Sequence, residues 1–172
     1  DGKDMFQAVR NLIVYSKRRL FFNHNRVWVV SERVARENIV APFDSILRDQ
    51  MLRLNSFIFV TPEKPQVVLS TPTLLESLTA LEIANGVEAL RYVGNFGEIY
   101  LKDFFEMLSG PIKASYLPMI YIREQTKSTV TEISGLAVVK GDKMVGTLNQ
   151  RETFGLMLLR GKVVGGQIQD GN

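Results

Sequence analysis

Residues 134–162 read SGLAVVKGDKMVGTLNQRETFGLMLLRGK. Two strand-like apolar runs, 135–139 and 144–148, flank Lys140-Gly141-Asp142-Lys143. A Gly-Asp pair between such runs signals a β-hairpin, because glycine reaches the backbone angles that a tight turn demands. Asn149 follows, with Glu152 three residues on, which is the spacing of a reciprocal helix cap. Phe154, Met157 and Leu158 recur at helical spacing, and Gly161 is the natural stop. Val163 and Val164 then read as the start of another strand.

Working outward, Gly110-Pro111 should end a helix whose apolar stripe is Leu101, Phe104, Phe105 and Leu108. Pro118 is expected to close the loop that follows, with a strand over 119–122. Thr73 and Glu76 repeat a T-x-x-E cap before Leu74, Leu75, Leu78 and Leu81, so a helix is expected from there. Gly86 either breaks or weakens it, and 86–98 stays ambiguous. Pro62, Pro65 and Pro72 make 61–73 the best boundary candidate. Before it, the pattern predicts an amphipathic helix over 4–16, strands over 20–22 and 26–30, and a turn at Asn23-His24-Asn25. It further predicts a helix capped by Ser31 over 32–37, a helix opened by Pro42, and a strand over 57–60. The expected fold class is therefore α+β: two small mixed α/β domains, each a mostly antiparallel or mixed sheet flanked by helices. The expected bounds are 1–69, lacking its initial strands, and 70–172, ending in the hairpin and helix.

The 172 residues hold 21 Lys+Arg, 18 Asp+Glu, one His and no Cys. The length suffices for a sizeable core without disulfide or metal staples. Lack of Cys excludes thiol nucleophiles, zinc ribbons and iron–sulfur centres, and a single His excludes two-imidazole sites. No apolar run approaches the roughly 18 residues of a membrane span. Charge is uneven: residues 1–53 are net +4, 63–106 net −4 and 107–172 net +3. Such segregation suits separate surfaces. The beginning, DGKDMF, and the end, VVGGQIQDGN, read as cuts within a longer chain.

Catalytic patterns are missing from the sequence. There is no G-x-S-x-G, and His24 sits in an expected turn. Gly94-Asn95-Phe96-Gly97 does not match a phosphate-binding loop. Asp103 and Glu106 share a helix face, which solvated helix charge explains. Lys17-Arg18-Arg19 before Leu20-Phe21-Phe22 combines cations with aromatics, as nucleic-acid binders do. Charge compensation at a helix end explains the triplet without a ligand, so no nucleic-acid partner is expected.

Three segments together resemble one family: FQAVRNLIVYSKRRLFFNHNRVWVVSERVARENI (6–39), FDSILRDQMLRLNSFIFV (43–60) and SGLAVVKGDKMVGTLNQRETFGLMLLRGKVVGG (134–166). They resemble the C subunit of bacterial spore germinant receptors, the Ger(x)C lipoprotein family. The segment 61–133 matches only loosely. The resemblance implies a non-enzymatic scaffold without cofactor or metal. It implies lipid attachment through an N-terminal Cys beyond this segment, on the outer face of the spore inner membrane, and assembly with membrane subunits A and B. The matched motifs offer Arg18, Arg19, His24, Arg26, Arg48, Asp49 and Arg53 as partner-contact residues. The structural alternative is ion pairing, Arg19 with Asp49 or Arg48 with Glu32. A domain that binds an amino-acid or sugar germinant directly, and a nucleic-acid-binding module, are the competing functional readings.

Overall fold

A computed structural model describes residues 7, 11, 24–48, 54–74, 76–90, 96–126 and 128–163. Gln7 and Asn11 are helical; the rest of the helix expected over 4–16, and the strand expected over 20–22, lie outside the described residues. The architecture is mixed α/β, a five-stranded mixed sheet flanked by helices.

Strand β1 (Val27–Ser31) leads into α1 (Glu32–Asn38), α2 (Ala41–Arg48) and β2 (Phe57–Thr61). After β2 come α3 (Pro65–Leu69), α4 (Thr79–Leu90) and α5 (Leu101–Ser109). The chain continues through β3 (Ala114–Gln125), β4 (Ser128–Lys140), β5 (Lys143–Leu148) and α6 (Gln150–Leu159). The strands lie side by side in chain order, with β1, β2 and β3 parallel and β4 and β5 antiparallel additions. The sheet thus takes strands from both sides of residues 69 and 70.

All five residues of β2 are buried, and their side chains alternate between two cores. Ile58 and Val60 join Ala35, Ile39 and Phe43 of the α1–α2 side and Phe104 of α5. Phe57 and Phe59 face Val68 of α3 and Ile83, Ala84 and Val87 of α4. A strand covered on both faces must be apolar at successive positions, which is why 57–60 is a continuous apolar run. Phe43, Phe59 and Phe104 are fully buried, each contributing on the order of 2–3 kcal/mol of transfer free energy. Trp28 meets Phe43 edge to face at 5.5 Å.

Local signals that carry their own hydrogen bonds reappear in the structure. Ser31 caps α1 by accepting the Val34 N–H. Asn149 Oδ1 accepts from the Glu152 N–H at 3.0 Å, and the Asn149 N–H donates to Glu152 Oε2 at 2.8 Å. At the other end of α6, Gly161 (φ +63°) donates to Leu158 O while Lys162 N donates to Met157 O. That double bond pattern satisfies the last carbonyls and ends the helix. Gly141 (φ +63°) takes the first central position of the two-residue β4–β5 turn.

Three expectations need correction. The helix expected from Thr73 starts at Thr79. The Thr73 hydroxyl donates to Glu76 O, Glu82 Oε2 takes the Leu74 N–H at 2.7 Å, and residues 73, 74 and 76–78 are irregular chain before the helix start. Pro118 does not close a loop; it lies within β3, paired with Leu136. It is tolerated beside a bulge, where Ser134 and Gly135 together oppose Met119 and the ladder is already interrupted. Val163 belongs to no strand, and Val164 lies outside the described residues.

Candidate functional site

Strands β1 and β2 end together, Ser31 opposite Thr61, with Val60 opposite Met119 of β3. In open α/β sheets the carboxyl ends of the strands are where ligands and partners are usually received. Here β3 and β4 run on past β2 as a two-stranded ribbon, pairing Tyr121 with Glu132, Arg123 with Val130 and Gln125 with Ser128. The bulge at Ser134–Gly135 sits where this ribbon leaves the sheet, and bulges bend and twist the strand that carries them.

Polar side chains occupy the step between sheet and ribbon. β3 has lost its neighbour on the β2 side, and Glu63 replaces it: its Oε1 accepts the Ile122 N–H at 3.4 Å. The other oxygen accepts the Thr61 hydroxyl at 2.6 Å. Tyr121 donates its hydroxyl to Met119 Sδ at 3.3 Å. Burial, reinforced by Glu32, Glu63 and Glu132, pushes its phenol above the usual tyrosine range, with Arg123 opposing. The Arg123 guanidinium lies 5.3 Å from the Tyr121 ring centroid, while its Nε donates to Glu132 Oε2 at 2.5 Å. That carboxylate raises the Arg123 pKa further.

Between ribbon and α4 lies a groove of about 440 Å³. Ile83, Gly86 and Leu90 line one wall, Val130, Thr131 and Ile133 the other, with Glu82, Arg123 and Glu132 as its charges. A Cβ built on Gly86 would meet nothing within 4 Å, so the glycine keeps that stretch of the α4 wall low. A groove with apolar walls and a few charged groups can hold a small polar ligand or a side chain of a partner. Among the described residues, no group of three or more His, Cys, Asp or Glu side chains is placed to hold a metal ion. Among those residues no helix is long and apolar enough to cross a membrane.

The contact residues expected from sequence do not fall at this groove. Arg18, Arg19, Asp49 and Arg53 lie outside the described residues, as does the Arg48 side chain, although Arg48 is the last residue of α2. His24 is exposed just before β1. Arg26 is half-buried at the same end, beside a pocket of about 350 Å³ shared with Asn55, Phe57, Glu88 and Tyr100. Glu32, offered above as a mate for Arg48, is engaged by Arg36, whose Nε donates to Oε1 at 2.8 Å. Sequence reasoning missed Glu63, Tyr121, Arg123 and Glu132. One signal was available: Arg123 and Glu132, opposite in charge, flank the largely polar 124–131 stretch, as diagonal cross-strand neighbours around a turn do.

Comparison with known proteins adds the following. Residues 1–122 match the family model described as spore germination protein N-terminal domain. Residues 134–170 match the model described as spore germination B3/GerAC like, C-terminal. The chain is 25% identical over 164 residues to the putative spore germination protein YfkR of Bacillus subtilis (strain 168), covering 92% of this chain and 41% of that protein. It is also similar in fold to the crystal structure of the GerBC protein, with a TM-score of 0.55 and 17% identity over 93% of this chain and 45% of that one. The chain thus spans less than half the length of either relative.

Proposed function

The chain belongs to the GerAC-like family of spore germination proteins, and from that premise we propose that it acts as a non-enzymatic C-type subunit of a nutrient germinant receptor. On this reading it is a scaffold, tethered by an N-terminal lipid to the outer face of the spore inner membrane, that assembles with membrane subunits A and B. The observation that carries the proposal is the family match over 1–122, the segment that builds β1, β2 and most of β3. The physical logic is that a tether concentrates a weakly docking module near its partners, so each contact can be modest. The expected contact residues Arg18, Arg19, His24, Arg26, Arg48, Asp49 and Arg53 remain part of this proposal.

Deleting the gene and measuring germination on single nutrients tests it, together with co-purification of A and B through a tag on this protein. Lost response to at least one nutrient, and recovery of both partners, are expected. Normal germination on every nutrient would sink the subunit role. The second reading, direct binding of an amino-acid or sugar germinant, is favoured by the groove beside α4. It predicts saturable heats when those compounds are titrated into the chain, and flat isotherms would remove it.

A further inference from the structure

The end of the sheet away from the groove is built differently. There β3 begins, β4 ends and β5 begins: Ala114 pairs with Lys140, and Lys140 with Lys143. The turn before β3 is clamped to the hairpin, since Gly141 N donates to Lys113 O at 2.7 Å and Lys113 N to Gly110 O at 3.1 Å. Lys113 has φ +49°, the one positive value at a non-glycine residue among those described. Strained backbone of this kind persists only where its surroundings enforce it. The turn holds Ile112 outward, 80% exposed.

Helix α6 ends at the same place. Arg160 reaches Met107 Sδ at 3.5 Å, one helical turn before Gly110, and its guanidinium lies 5.3 Å from the Tyr116 ring centroid. The Lys162 ammonium reaches the Tyr116 hydroxyl at 3.5 Å. Next to Arg160, Leu159 is 89% exposed. This tip therefore shows two large aliphatic side chains among Lys113, Lys140, Lys143, Arg160 and Lys162, all five exposed. None of the five is in a salt bridge with another described residue. Asp142, the acid of the hairpin turn, accepts from the Asn38 amide at 3.1 Å.

We propose that this tip is a membrane-contact surface, in which Ile112 and Leu159 enter the interface of an anionic bilayer while the five cations meet lipid phosphates. Charge complementarity singles out the occupant. Protein interfaces are depleted in lysine and enriched in aromatic anchors, whereas this tip is lysine-rich and presents exposed aliphatics. Projecting aliphatics ringed by Lys and Arg match what anionic lipid surfaces attract. The inference stands apart from the proposed lipid tether, because the unlipidated chain is the test material.

The experiment is co-sedimentation of the 172-residue chain with vesicles of phosphatidylglycerol and phosphatidylcholine, against phosphatidylcholine alone. Binding to the anionic vesicles only, weakened by added salt, is expected. Each Lys or Arg near such a surface contributes roughly fivefold in affinity, so Lys113→Glu with Lys143→Glu should weaken binding by about 25-fold or more. Ile112→Asp with Leu159→Asp should weaken it at low salt too. These positions are exposed, and unchanged melting of the variants confirms that they fold. Leu74→Asp with Leu78→Asp, exposed leucines ahead of α4, should leave binding intact. Equal sedimentation with both vesicle types, or parental binding by both tip variants, overturns the proposal. So does self-association abolished by the tip variants without any vesicle binding, which would make the tip a protein interface.

Discussion

Replacing Gly135 by alanine perturbs the bulge where β4 turns from sheet strand into ribbon. Gly135 has φ +74°, and a Cβ built there would lie 2.5 Å from the backbone oxygen of Leu148 on β5. The left-handed conformation costs an L-residue about 1–2 kcal/mol. Relieving a clash against backbone, rather than a swinging side chain, requires local displacement of the β4–β5 ladder, worth roughly 1–3 kcal/mol as an overpacked site. Reduced freedom of the unfolded chain returns about 0.4–1 kcal/mol. The net is a loss of about 2–3 kcal/mol, or a fall in Tm of roughly 4–12 °C for a domain of this size. Gly86→Ala is the matched control. It sits within α4 with nothing inside 4 Å of the new Cβ, so it should stabilise by about 0.5–1 kcal/mol. Scanning calorimetry reads both variants, and urea unfolding followed by the fluorescence of Trp28, the only tryptophan, checks them independently. A Gly135→Ala melting point within about 1 °C of the parent would refute the reasoning from positive φ and backbone clash.

Asn149→Ala removes the side-chain half of the α6 cap, leaving the backbone N–H of residue 149 to Glu152, and should cost about 1 kcal/mol, seen as a shifted urea midpoint with unchanged slope. Phe59→Ala, emptying a fully buried site in β2, should cost about 3–5 kcal/mol by the same measurement. The Tyr121 phenol is raised above its unfolded value, so its contribution to stability is complete below about pH 10 and is lost as pH rises through the folded value. Tyr121→Phe should therefore flatten the alkaline arm of a stability–pH curve while leaving pH 7 stability nearly level, and an unchanged alkaline arm would count against the half-buried, acid-flanked phenol.

What could be read from the sequence was whatever closes within a few residues. Asn149 with Glu152, Ser31 before α1 and Gly161 after α6 each satisfy backbone groups within a few residues, so their meaning does not depend on distant chain. The T-x-x-E at Thr73 shows the limit of that rule. Its spacing is correct, but the Thr73 hydroxyl donates to Glu76 O, Glu76 Oε1 accepts from the Asn85 amide, and Glu82, eight residues on from Leu74, accepts the Leu74 N–H. Parallel pairing of β1 with β2, and of Val60 with Met119 across 59 residues, depends on which apolar faces meet in three dimensions and has no local signature. The groove was illegible for the same reason. Ile83, Ile133 and Arg123 are ordinary residues in ordinary elements, and only the bulge at Gly135 and the step at Glu63 bring them together. Leu159 and Ile112, 47 positions apart, become one tip only because α6 returns to the end where β3 starts.

Strand β3 connects these two surfaces. Its 12 residues, Ala114–Gln125, span about 40 Å at the usual rise of about 3.3 Å each, with the basic tip at one end and the groove wall at the other. Such a strand, paired along its length with β4, is a stiff spacer rather than a linker. With Ile112 and Leu159 seated in a bilayer, Arg123 and Glu132 stand roughly 30–35 Å away from the headgroups, beyond several Debye lengths at physiological salt. The groove is then insulated from lipid charge, and what reaches it does so through contacts of its own. Orientation and recognition are thereby separable: charge reversal at Lys113 and Lys143 should weaken vesicle binding by about 25-fold or more without altering any titration into the groove, and Gly86→Ala should fill part of the groove without altering vesicle binding. Loss of both properties from either variant alone would mean that the two ends are coupled through the sheet, and that β3 is not the passive spacer its pairing with β4 implies.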